Sequence, residues 1–272
     1  EADDCRDKDF VLRSQEDVMA LAGSGCAQVR NLEITGDISD LSVLGGLDRI
    51  CGSLWVFHVY SLASLEGLEN IRAIGNDTSG LSIELYWVPA LESVSGLRGV
   101  VGALPGSLII SDTEGRSIVI HSAPALESVS GLHGVAGALP GSLIIQQADK
   151  LVSLDGLQGI TAIGSLVIGS ADNLASLDGL EGITAIGDDT VGFSIVLNSV
   201  PALESVSGLH GVAGALPGSL IMGITAIGND ISGVSIFLQG VPALESVSGL
   251  RNVAGAVPGS LFIENADQLA SL

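Results

Sequence analysis

Four histidines, a repeated glutamate and three cysteines are the groups in this chain that could carry chemistry. His58, His121, His133 and His210 are the only imidazoles. His133 and His210 share one position of an internal repeat, where Arg98 and Arg251 stand in the sister copies. That exchange fits a solvated turn, not a base or a metal ligand. Glu92, Glu127, Glu204 and Glu245 recur in every copy of another phrase. Paired carboxylates serve glycoside hydrolysis, but a catalytic acid or base is normally unique in a chain. No Ser-His-Asp arrangement stands out, and an enzyme is not expected. Cys5, Cys26 and Cys51 are 21 and 25 residues apart, which fits no zinc pattern. The turns GNDTSG at Gly75, GDDTVG at Gly187 and GNDISG at Gly228 each bring one or two carboxylates. Calcium takes roughly six to eight oxygens, so they read as turns. GALPG at Gly102, Gly137 and Gly214 lacks the lysine and the following helix of a phosphate loop. No metal and no cofactor is expected.

Composition narrows the partners. The formal charge is −21, from 31 acidic and 10 basic residues, with Lys8 and Lys150 the only lysines. A nucleic-acid binder needs clustered cations to displace counterions, so that class is excluded. Docking on an anionic membrane is disfavoured for the same reason. No apolar run approaches the roughly 18 residues of a spanning helix. The chain is 47% hydrophobic but only 3% aromatic, so its core must be aliphatic.

Internal repeats set the architecture. ALESVSGL begins at Ala90, Ala125, Ala202 and Ala243; SLDGL begins at Ser153 and Ser176, and GITAIG at Gly159, Gly182 and Gly223. Between them lie short alternating phrases such as SLWVF at Ser53, SLII at Ser142 and SLVI at Ser165, mostly 22 to 29 residues apart. One rung is therefore a strand, a turn, a leucine-bearing return and the next strand. Stacking buries what no rung buries alone. The expected fold is mainly β: a right-handed parallel β-helix, or leucine-rich solenoid, of about 23–29-residue rungs over 31–272. Two copies are short. The repeat is interrupted at Ile110/Ser111 and Met222/Gly223, and either real deletions or missing segments explain that. The chain also stops mid-phrase at Leu272, which reads as a truncation.

Residues 1–30 lack the repeat and read as a lid. Ser14 to Ala22 is expected to be a short helix, with Ser14 and Asp17 placed as a capping box. Cys5 and Cys26 bracket it, so a disulfide there would staple the lid, while Cys51 reads as a buried free thiol. The segment EDVMALAGSGCAQVRNLEITGDISDLSVLGGL, Glu16 to Leu47, resembles the start of a receptor L domain, the leucine-rich module of growth-factor and insulin receptor ectodomains. The later rungs are similar to repeats in fungal and microbial cell-surface proteins. The resemblance implies a Cys5–Cys26 bridge and a secreted or surface-displayed protein. It does not carry receptor signalling across, because no Cys-rich module or kinase is present in this sequence.

The outward position of the strand phrases reads Glu33, Trp55, Glu84, Ile109, Val119, Ile144, Val167, Val196, Ile221, Phe237 and Phe262. Nine of these eleven are apolar, and a contiguous apolar stripe marks an interface. The expected binding residues are Trp55, Ile109, Val119, Ile144, Val167, Val196, Ile221, Phe237 and Phe262, beside a column of small serines. Asn76-Asp77-Thr78 is an N-glycosylation sequon. The leading expectation is a non-enzymatic extracellular scaffold of a cell wall, coat or filament, self-associating or contacting neighbouring surface proteins. The alternative is a surface recognition module for a peptide or glycan, marked by one open aromatic patch such as Trp55 with Tyr86 and Trp87.

Overall fold

The structure is a computed structural model. It describes residues 5–78, 82–102, 104, 116–139, 141–187, 193–213, 219–222, 234–239, 241–252 and 260–270. The expected interruption at Ile110/Ser111 and the residue Ile109 lie outside these, as does Gly223. Side chains are not described for Val119, Ile221, Phe237 and Phe262.

Each strand phrase lays itself parallel beside the one before it. Phe10–Ser14, Leu32–Asp37, Leu54–Phe57, Ile83–Tyr86, Arg116–His121, Ser142–Gln146, Leu166–Gly169, Phe193–Asn198, Ser219–Met222, Val234–Gln239 and Ser260–Glu264 form one eleven-stranded sheet in chain order. Equivalent residues pair: Leu32 with Leu54, Leu54 with Ile83, Leu143 with Leu166. The step is not uniform. It is 35 residues from Leu85 to Ile120 and 16 from Leu220 to Ile236.

The return segments follow another period. In Leu91, Val94, Leu97 and Val100, and again in Leu126, Val129, Leu132 and Val135, every third residue is buried, each at most 3% exposed. A strand buries every second residue; a period of three suits the 3₁₀ turn. The SGL phrases accordingly form 3₁₀ turns at Ser95–Leu97, Ser130–Leu132, Ser207–Leu209 and Ser248–Leu250. The serine before each turn sets it. Ser93, Ser128, Ser205 and Ser246 Oγ accept from the backbone N–H two residues on, at 3.0–3.1 Å.

This corrects the expected mainly β, right-handed β-helix or leucine-rich solenoid. The chain is of α/β type: the described residues form one large parallel sheet, one α-helix, and 3₁₀ or irregular segments carrying the chain back. Two further sheets have three short strands each, Gln28–Val29, Arg49–Ile50 and Ala73–Ile74, and Gly137–Ala138, Ile160–Ile163 and Ala185–Ile186. They do not run the length of the large sheet, so no closed solenoid is formed by the described residues. The physical reason is the period-three return, which turns where a strand would extend.

The N-terminal lid is not a separate unit. Its strand Phe10–Ser14 is the first strand of the large sheet, and Cys5, Val18, Leu21 and Cys26 belong to the common aliphatic core. The helix Gln15–Gly23 begins at Ser14, whose Oγ accepts from Asp17 N–H while the Asp17 carboxylate accepts from Ser14 N–H at 3.0 Å. Cys5 and Cys26 are bonded; Cys51 is free and only half-buried. The serine column lies inside, not on the outer face: Ser53, Ser82, Ser142, Ser165 and Ser194 are at most 1% exposed, and Ser165 Oγ donates to Ser142 Oγ at 2.7 Å. The strand corner is narrow, and a small hydroxyl that bonds its copy in the next repeat fits it.

Close stacking makes one glycine position critical. A Cβ on Gly131 would sit well inside contact distance of the Val94 carbonyl oxygen, and Gly208 meets Leu177 in the same way. Gly131→Ala should lower stability by about 1–3 kcal/mol. Gly46→Ala, where a Cβ meets nothing, should change it by less than about 0.5 kcal/mol. Urea unfolding midpoints compare the two.

Candidate functional site

The outer face of the first strands carries two rows set by register. One row runs Val11, Glu33, Trp55, Glu84. The next, two residues on, runs Thr35, Phe57, Tyr86, His121. The rows are about 7 Å apart along each strand. Arg13, exposed two residues after Val11, and His121 are the basic side chains of the second row, and the first has none.

The rings of the second row meet those of the turn that follows. His58 and Trp87 both have φ near +53°, as do Ser122, Gln147, Ser170, Ser199 and Asn265 at the same place in later repeats. The left-handed conformation costs a non-glycine residue roughly 1–2 kcal/mol. Its return here is a strand end that aims a side chain off the sheet edge. The His58 ring is 5.5 Å from Tyr86, 5.8 Å from Phe57 and 5.7 Å from Trp87, and Tyr86 is 5.9 Å from His121. Trp87 stands edge-on to Tyr86 at 80°. Trp87 is 46% exposed and Tyr60, in the adjoining turn, 58%. An open, stepped aromatic ledge results, and such rings offer stacking area at low entropic cost.

Trp55 opens the other end of the face. It lines a cavity of about 220 Å³ with Asp9, Phe10, Val11, Asn31, Leu32 and Glu33. Its indole Nε1–H is buried and has no hydrogen-bond partner. The polar wall is held by a network. Arg30 pairs with Asp9, Asn31 Nδ2 donates to Asp9 at 2.8 Å, and Asn31 Oδ1 accepts from Ser53 N–H at 2.8 Å. The hydrogen bond from Arg30 holds the Asp9 carboxyl below its ordinary value, helped by the Arg30 charge and the Asn31 donors.

His121 is buried enough to push its pKa below 6.5. Ser122 Oγ lies 2.7 Å from His121 Nδ1 and donates its single proton to Gln147 Oε1 at 2.6 Å. His121 Nδ1–H is therefore the donor to Ser122. His133 and His210 instead cap exposed 3₁₀ turns, each donating Nδ1–H to a carbonyl of its own turn at 3.1 and 2.9 Å. The Glu92, Glu127, Glu204 and Glu245 column is exposed, and backbone hydrogen bonds link Glu92 with Glu127 and Glu204 with Glu245. Among the described residues no three His, Cys, Asp or Glu side chains converge on a metal position. No helix there is long and apolar enough to cross a membrane.

The expected binding column divides in two. Trp55 belongs to the ledge and its cavity. Ile144 and Val196 are only 7% and 8% exposed, and Val167 between them is half-buried, so this part offers little open apolar surface. Backbone register keeps Val119, Ile221, Phe237 and Phe262 in the same column. Asn76 lines a wide groove with Arg6, Asp7, Asn31 and Asp77. The sequence column found Trp55 but left out Phe57, His58 and Tyr60. A signal for them was there: five of the nine aromatic residues lie between Trp55 and Trp87.

No family model matches the chain, and it shows no similarity to curated proteins or to solved structures.

Two outcomes are expected. Trp55→Phe removes the orphaned donor together with the five-membered part of the indole, so relief of the unpaired N–H is opposed by lost packing and stability should change by less than about 1 kcal/mol in either direction. A loss above that in urea unfolding would mean the donor is bonded. For His121, the folded pKa is depressed, so the unfolded chain protonates first as pH falls. The histidine's contribution is then full above pH 6.5 and lost as pH falls below it. Thermal unfolding of His121→Gln should be less sensitive to pH between about 6.5 and 5 than that of the parent.

Proposed function

We propose that this chain is a non-enzymatic, extracellular recognition module that binds its ligand on the aromatic end of the sheet's outer face. The observation that carries the reading is the ledge of Phe57, His58, Tyr60, Tyr86 and Trp87, which is partly open and is not repeated among the described residues. A structural reason for it is hard to find, because an exposed Trp and Tyr add little to the aliphatic core. The Cys5–Cys26 bond supports placing the protein in an oxidising compartment such as the cell exterior. Kinship with the receptor L-domain family is part of the same proposal and rests on the Glu16–Leu47 segment.

A second reading is a structural or adhesive scaffold that assembles through the apolar column. It is favoured by the unbroken register that aligns Val119, Ile144, Val167, Val196, Ile221, Phe237 and Phe262. Light scattering through a dilution series separates the two. A monomer at micromolar concentration and below is the expected result. An assembly that persists on dilution, and dissociates when Val167 is changed to Lys, would make the scaffold reading the better one.

A further inference from the structure

We infer that Asn76 carries an N-linked glycan whose core sugars lie in the groove over Cys51, a proposal that rests on the extracellular half of the reading above and not on the aromatic ledge. The sequence supplies the first observation. Asn76-Asp77-Thr78 is the one Asn-x-Ser/Thr phrase in the chain, and its middle residue is not proline. The matching turns read SDTEG at Ser111, GDDTVG at Gly187 and GNDISG at Gly228. Asp77, Asp112, Asp189 and Asp230 make the middle aspartate common to all four, whereas only the Gly75 turn combines the amide with the hydroxyl.

The structure gives the aspartate and its neighbours different roles. Gly75 N–H donates to the Ile50 carbonyl at 2.9 Å, and a Cβ on Gly75 would collide with the Cys51 carbonyl. The turn is therefore stacked directly on the Cys51–Ser53 corner of the repeat before. Asp77 faces that corner: it is half-buried, and its Oδ2 accepts from Ser53 Oγ at 3.3 Å. Asn76 and Thr78, on either side of it, are exposed. A sugar on Asn76 thus displaces nothing from the core, and N-linked glycans belong on such surface turns. In the transfer, the Asn76 carboxamide nitrogen bonds to C1 of the first sugar. The bond from that carbon to the pyrophosphate of a lipid-linked oligosaccharide breaks, and the amide proton leaves with the pyrophosphate. The donor and its transferase belong to the secretory route, where a bond such as Cys5–Cys26 forms.

The groove decides where the glycan lies. It measures about 700 Å³, and Arg6, Arg30, Asn31, Cys51 and Asp77 stand with Asn76 in its walls. Sites for small ligands span about 300–1,000 Å³, so the first sugars fit. Guanidinium, amide and carboxylate groups offer their hydroxyls both donors and acceptors. Cys51 is the one free thiol and is only half-buried. Such a thiol couples chains in an oxidising compartment, and a glycan rooted one residue beyond the glycine that rests on Cys51 screens it. The groove lies at the N-terminal ends of the strands and the ledge at their C-terminal ends, with Ser53 and Phe57 about 13 Å apart along the chain. The glycan therefore covers one edge of the sheet and leaves the ledge open at the other.

The test is secretion of the full chain from a eukaryotic cell line. Intact mass spectrometry should show one glycan excess, which peptide N-glycosidase removes while converting Asn76 to aspartate. Thr78→Val should lose the excess and Thr78→Ser should keep it. In native Thr78→Val, alkylation of Cys51 by iodoacetamide should quicken by about threefold or more, and Thr78→Ser should react at the parental rate. A secreted, disulfide-bonded chain of unmodified mass overturns the proposal and leaves the extracellular reading intact. A chain retained in the cell with Cys5 and Cys26 reduced overturns both. An excess that resists the glycosidase, or persists in Thr78→Val, places the sugar elsewhere and overturns the site. A glycan whose loss leaves the alkylation rate unchanged overturns its seating over Cys51.

Discussion

Everything in this structure depends on how closely successive repeats approach one another. Their backbones are joined by parallel hydrogen bonds along the whole sheet, and the bonding continues through the returns, as from Glu127 N–H to the Glu92 carbonyl. At that spacing a repeat has no room for a side chain at Gly131 or Gly208. The same spacing stacks the leucines of each return on those of the next, so one aliphatic core runs through the described repeats. Neither the ladder nor the core exists within a single repeat. Stability is therefore shared between neighbours, as it is wherever like units stack.

That constraint fixes the inward positions and frees the outward ones. The first three ALESVSGL copies keep the same buried pattern, the fourth leaves Val247 and Leu250 partly exposed, and the residues that vary between them, Arg98, His133, His210 and Arg251, sit at the ends of 3₁₀ turns. Specific chemistry therefore has to come from strand positions facing out and from the left-handed residue after each strand. Later repeats put Gln147, Ser170 and Ser199 at that residue; the early ones put His58 and Trp87 there. One backbone device, repeated along the sheet, holds a plain polar edge at one end and an aromatic ledge at the other.

Much of this was legible in the sequence. The described strand phrases and the capped N-terminal helix stand where the repeat and the Ser14–Asp17 spacing put them. The fold class was not, because strand and return phrases were read as one continuous β pattern. The buried residues Leu126, Val129, Leu132 and Val135 are three apart, and that spacing, visible in the sequence, already separates a 3₁₀ return from a strand. The serine column was misplaced for a related reason. Strict alternation puts Ser142 outside Leu143, but the strand corner turns both inward. The ledge was half legible. Aromatic clustering was there to count, whereas the ring contacts depend on which strands become neighbours and on the positive φ at His58 and Trp87, and a hydropathy pattern reports neither.

Charge and aromaticity then act together. An excess of 21 negative charges gains nothing for folding, since like charges repel in the compact state. It does act as a filter at the surface. Nucleic acids, anionic lipids and acidic polymers are held off the whole chain, while uncharged ligands feel no such barrier and cations are drawn to any part of the surface alike. Discrimination between those last two classes must then be local. On this face the local groups are the exposed rings of Tyr60 and Trp87, which offer stacking area to either class.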